Sequence, residues 1–67
     1  MQYGTVKEYN NSKGFGFITG DDGEDYFVHV SGLGPRVKDR GLRQDQRVGF
    51  DVDFDMKGDR AINVTSV

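Results

Sequence analysis

Valine and phenylalanine alternate with glycine and aspartate along Val48-Gly49-Phe50-Asp51-Val52-Asp53-Phe54. Residues two apart share one face of a strand, so this stretch predicts a half-buried strand with one apolar side and one wet side. Ten glycines and one proline break up any helical pattern elsewhere. Five strands are expected, at roughly 2–9, 14–20, 24–30, 46–54 and 60–67. Asn10-Asn11-Ser12 turns the first strand into the second, Asp21-Asp22-Gly23 the second into the third, and Met56-Lys57-Gly58-Asp59 the fourth into the fifth. The long connection from Ser31 to Asp45 contains Gly32, Gly34, Pro35 and Gly41. It has room for a short helical turn but no sustained apolar face. Five short strands with one long loop argue for a small closed barrel, because closure removes the exposed edges.

The chain of 67 residues reads as one domain, 1–67, with a modest core. With no cysteine it has no disulfide framework and no thiolate metal site, which fits a reducing cytoplasm. Its single histidine, His29, cannot form a metal-binding cluster. Gly14-x-Gly16 is not a dinucleotide fingerprint, since the third glycine, Gly20, falls one position late and no helix follows. The acidic run from Asp21 to Asp25 lacks calcium-loop spacing. With one histidine, no cysteine and no evident cleft, neither catalysis nor a small-molecule cofactor is expected. The N-terminus has no apolar run, so no signal peptide or membrane span is expected. The glycosylation-like triplets Asn10-Asn11-Ser12 and Asn63-Val64-Thr65 then read as chance.

The net charge is −2, yet it is unevenly spread. Residues 1 to 31 sum to −3, residues 32 to 47 to +3 and residues 48 to 67 to −2. The positive stretch carries Arg36, Lys38, Arg40, Arg43 and Arg47. It reads either as a solvated loop or as a flexible arm that meets phosphates.

Two segments carry the chemistry, Lys13-Gly14-Phe15-Gly16-Phe17-Ile18 and Asp25-Tyr26-Phe27-Val28-His29-Val30. A hairpin sets them side by side, so one face collects Phe15, Phe17, Phe27 and His29. The other collects Gly14, Gly16, Ile18, Tyr26, Val28 and Val30. Phenylalanine is usually buried, which argues for the first face as core. That arrangement would also bury His29 and expose Ile18, Val28 and Val30. A narrow barrel interior suits valine and isoleucine, and glycine lets strands coil tightly. The aromatic face is therefore expected outside, as a patch that needs a partner. Flat rings beside basic residues are what single-stranded bases stack on, with Lys7 and Lys13 at the rim for phosphates.

Lys-Gly-Phe-Gly-Phe-Ile followed by Phe-Val-His resembles the two ribonucleoprotein motifs of the bacterial cold-shock proteins. The resemblance runs the whole chain, through Gly4, Val6, Lys7, Asn10, Asp25, Ser31, Leu42, Val48, Phe50, Gly58 and Asn63-Val64-Thr65. It implies an all-β, five-stranded antiparallel barrel of the OB type that binds single-stranded RNA and DNA and acts as an RNA chaperone, as a monomer. The binding residues it implies are Lys7, Asn10, Lys13, Phe15, Phe17, Asp25, Phe27, His29 and Lys57. Tyr9 stands where the family has phenylalanine and can still stack; Arg36, Lys38 and Arg40 would assist electrostatically. The chain departs from the family at Glu8, where tryptophan is usual, and at Val30, Val37 and Asp59. These changes predict weaker binding, with Glu8 repelling phosphates and pairing with Lys7. A barrel turned to protein interaction remains the alternative, although the retained Phe15, Phe17, Phe27 and His29 favour nucleic acid.

Overall fold

The turns form where the sequence places short polar residues and glycine. Asn10 Oδ1 accepts from the Lys13 amide at 2.9 Å, and Asp22 Oδ1 accepts from the Glu24 amide at 3.0 Å beside Gly23 at φ +88°. Both side chains take over backbone donors that the turn leaves open. In the computed structural model, which describes residues 1–55 and 58–67, these turns join β1 (Gln2–Asn10), β2 (Phe15–Gly20) and β3 (Asp25–His29) into an antiparallel meander. β4 (Arg47–Asp55) and β5 (Gly58–Ser66) form a second hairpin. The strands close into one barrel in the order β1-β2-β3-β5-β4, β4 returning to β1.

Four of the five seams are antiparallel, as expected. The seam of β3 with β5 is parallel, pairing Phe27 with Arg60 and Val28 with Ala61. The chain crosses one end of the barrel between β3 and β4, so β5 reaches β3 running in the same direction. That crossing is more ordered than a free loop. A 3-10 turn spans Val30–Gly32 and a short helix, α1, spans Pro35–Arg40. Pro35 opens α1, where its missing N–H costs nothing. Gly41 closes it at φ +74°, a conformation that a side chain would strain. The helix has an apolar anchor after all, because Val37 is buried together with Leu33 and Leu42.

Val6, Ile18, Val28, Val48, Phe50 and Val64 are fully enclosed, and Tyr26, Leu33, Val37, Leu42 and Ala61 complete the core. Tyr26 belongs inside because its ring lies 5.2 Å from that of Phe50 while its hydroxyl donates to Asp22 at 2.6 Å. That bond pushes the Tyr26 pKa up to about 12, with burial adding to it. The apolar face expected along β4 runs through Val52, which is half-buried against the core, but the opposite face is not wet, since Gly49 is buried and Asp51 and Asp53 are half-buried. The apolar face fails at Phe54, which is 78% exposed where the hairpin passes the barrel end. No helix among the described residues is long and apolar enough to cross a membrane.

Candidate nucleic-acid interface

Phe15, Phe17 and Phe27 stand on the outer surface, as expected. Phe15 and Phe17 are 40% and 37% exposed, respectively, and Phe27 between them is half-buried. In register, Phe15 faces His29 and Phe17 faces Phe27. The Phe15 and Phe27 rings are stacked with centroids 6.2 Å apart, and Phe17 meets Phe27 edge-on at 5.9 Å. Each ring is thereby braced by another before any ligand arrives. The inner face below them is lined by Gly14, Gly16, Ile18, Tyr26 and Val28, all buried.

Gly16 is required by a close approach. A Cβ there would strike the Glu8 carbonyl oxygen and the Tyr9 Cα across the ladder. β1 carries a bulge just before this level. Val6 pairs with Ile18, but Glu8, not Lys7, pairs with Phe17. One extra residue resets the alternation, so Lys7 and Glu8 are both exposed. Glu8 thus sits beside Phe17 on the aromatic face. Tyr9, expected as a stacking residue, takes the inward parity opposite Gly16 and packs half-buried against the core. That burial raises its hydroxyl pKa. Its remaining surface lines a shallow groove with Glu8, Asn10, Lys13, Phe15 and Phe17.

Polar groups frame the rings. The expected Lys7–Glu8 pairing is not formed; Lys7 Nζ bonds Asp25 at 3.1 Å. The Thr19 hydroxyl, donating at 2.9 Å, and the Lys7 ammonium hold the Asp25 carboxyl below the usual carboxylate range. Lys7 lies where the bulge directs it, toward the Thr19 and Asp25 end of the face. Asn10 is committed to its turn through Lys13 N, while Lys13 itself is exposed at the rim. His29 is exposed, and its Nδ1 accepts from the Ser31 amide at 3.1 Å. The neutral imidazole therefore carries its proton on Nε2, leaving a donor for a base or phosphate. Lys57 lies outside the described residues.

Arg36, Lys38 and Arg40 are all exposed on α1. Asn11 tethers the end of that helix, donating to the Leu42 carbonyl at 3.1 Å and accepting from the Leu42 amide at 3.3 Å. The basic segment is therefore a short helix held next to the β1–β2 turn at its C-terminal end. Arg47 contributes no free charge, because it forks onto Asp21 at 2.8 and 3.0 Å and holds that carboxyl below its ordinary range.

Two neighbours of the rings were not anticipated. Arg60 reaches the face through the parallel seam with Phe27 and bonds Asp53 at 2.9 Å. It lines a second groove with Phe17, Phe27, His29, Ser31 and Asp59. Nothing local in the sequence signals a parallel pairing across the barrel. Ser31 had a signal, its place two residues after His29. Among the described residues no group of three His, Asp or Glu is arranged to hold a metal.

Residues 2–67 match the family model described as the 'Cold-shock' DNA-binding domain. The chain is 40% identical over 67 residues to the major cold shock protein of Streptococcus pyogenes serotype M1, covering 100% of this chain and 98% of the relative. It is 45% identical over 64 residues to cold shock protein 1 of Lactiplantibacillus plantarum and to cold shock protein CspC of Bacillus subtilis, covering 96% of each partner in both comparisons.

Proposed function

Because the chain belongs to the cold-shock domain family, we propose that it is a single-stranded RNA- and DNA-binding protein that works as an RNA chaperone. The observation that carries this is the outward triad of Phe15, Phe27 and Phe17, braced ring against ring on the sheet with Phe15 and Phe17 exposed. Bases stack on these rings, each worth about 1–3 kcal/mol. Lys13, Lys7 and the α1 cations meet the phosphates, and His29 Nε2–H donates beside Phe15. A duplex stacking step is worth about 1.4 kcal/mol on average, so the platform competes with a transiently opened helix without an energy source. Ring stacking tolerates any sequence, which suits a chaperone. No reacting group is needed.

Binding is weaker than on a platform with an aromatic at position 8, since Glu8 replaces one stacking surface with a negative charge beside Phe17. Asp59 adds a second carboxylate at the rim of the Arg60 groove. The domain acts as a monomer, 1–67, in the cytoplasm, where a cysteine-free chain has no redox constraint. Titrating a labelled oligothymidine at low and moderate salt tests the binding. Melting of a labelled RNA hairpin tests the chaperone step. Binding to duplex but not to single strands would refute the proposal.

A further inference from the structure

We propose that Glu8 makes the platform select guanine for the base stacked on Phe17. The inference rests on single-strand binding at this face and assigns base chemistry to one place within it. Glu8 lies directly across the β1–β2 ladder from Phe17, and the bulge at Lys7 turns it to the outer surface. Directly opposed residues have Cβ atoms about 4.5–5.5 Å apart, so a base on the Phe17 ring presents its edge within reach of the Glu8 carboxylate. That carboxylate is uncommitted. Among the described residues Glu8 has no ion pair or side-chain hydrogen bond, and its cationic neighbour Lys7 is engaged by Asp25 at 3.1 Å.

An ionised carboxylate only accepts hydrogen bonds. Thymine and uracil present one ring N–H flanked by two carbonyl oxygens, so a carboxylate at that edge meets two repelling oxygens. Cytosine and adenine each offer one exocyclic amine beside an acceptor ring nitrogen. Guanine alone offers two adjacent donors, its N1–H and its exocyclic amine, in the parallel geometry that two carboxylate oxygens match. Bidentate, charge-assisted pairs of this kind are the strong ones. The residue that weakens binding to thymine tracts thus favours strands that place guanine on Phe17.

The test is fluorescence anisotropy with a labelled oligothymidine and a set in which a single dG replaces dT at each position in turn. The best-placed dG should tighten binding about ten-fold, within the range for one bidentate base contact. Deoxyinosine at that position, which lacks the exocyclic amine, should lose most of the gain. Glu8→Gln should bring the dG preference near unity while binding the plain oligothymidine more tightly. A wild type with no dG preference at any position, or a preference kept intact in Glu8→Gln, would overturn the inference while leaving single-strand binding standing. Failure of the wild type to bind any of these strands would remove both.

Discussion

Replacing Phe17 and Phe50 by alanine, one at a time, separates a binding ring from a structural one. Burying a phenylalanine fully is worth about 1.5–3 kcal/mol. Phe17 is 37% exposed, so roughly three-fifths of that, about 1–2 kcal/mol, is at stake. Its edge-on contact with Phe27 adds about 0.5–1.5 kcal/mol. The expected loss of stability is therefore about 2 kcal/mol. Phe50 has no exposure and packs on Tyr26, so its truncation empties space in the core at about 3–5 kcal/mol. A domain of this length has about 3–10 kcal/mol in total, so Phe17→Ala should remain folded, while Phe50→Ala should lose about twice as much and unfold outright if the total lies in the lower part of that range. Binding reverses the contrast. Phe17→Ala should lose one stacked base, about 1–3 kcal/mol, or about five- to 150-fold in affinity. Urea unfolding followed by circular dichroism gives the first quantity, and anisotropy of a labelled oligothymidine gives the second. If Phe17→Ala unfolds in buffer at room temperature, or binds the oligonucleotide as the wild type does, the outward platform is not the binding surface.

Glu8→Trp should tighten oligothymidine binding by about ten-fold or more by adding a stacking surface and removing a charge; equal affinities in side-by-side titrations would take Glu8 out of the site. Neutralising Arg36, Lys38 and Arg40 together should flatten the plot of log affinity against log salt, each lost phosphate contact changing the slope by about 0.7; an unchanged slope would mean the helix is only solvated. The Tyr26 pKa is raised to about 12 chiefly by its bond to Asp22, so the stability it contributes is complete below about pH 10 and is lost as pH rises through 12. Asp22→Asn should therefore lower the Tyr26 titration midpoint in an ultraviolet-monitored alkaline titration. Asp21, Asp22 and Asp25 have lowered pKa values, so their contributions are present above about pH 4 and disappear as pH falls through the folded values. The urea midpoint should drop on acidification below pH 4, and less steeply in Asp22→Asn.

Local alternation and turn chemistry determined much of this protein. A period of two fixes which residues share a face, so Phe15, Phe17, Phe27 and His29 had to lie together. The aliphatic and glycine positions opposite them suit the inside of a narrow barrel better than the phenylalanines do. The turns at Asn10 and Gly23 follow from short polar side chains and a positive φ. Strand limits fell within two residues of those expected, since hydrophobic pattern and turn residues mark them jointly. What local pattern could not supply was parity across a bulge and pairing across the barrel. Strict alternation along β1 would put Lys7 and Tyr9 outside and Glu8 inside. A bulge at Lys7 adds one residue to the ladder, which sends Glu8 out to Phe17 and Tyr9 in toward the core. The parallel seam of β3 with β5 brings Arg60 to the aromatic face, although it lies 33 positions along the chain from its partner Phe27. Val37 turned a polar loop into a docked helix with one buried side chain and the Asn11 tether. Each of these depends on contacts between distant segments, and their free energy exists only once the barrel has closed.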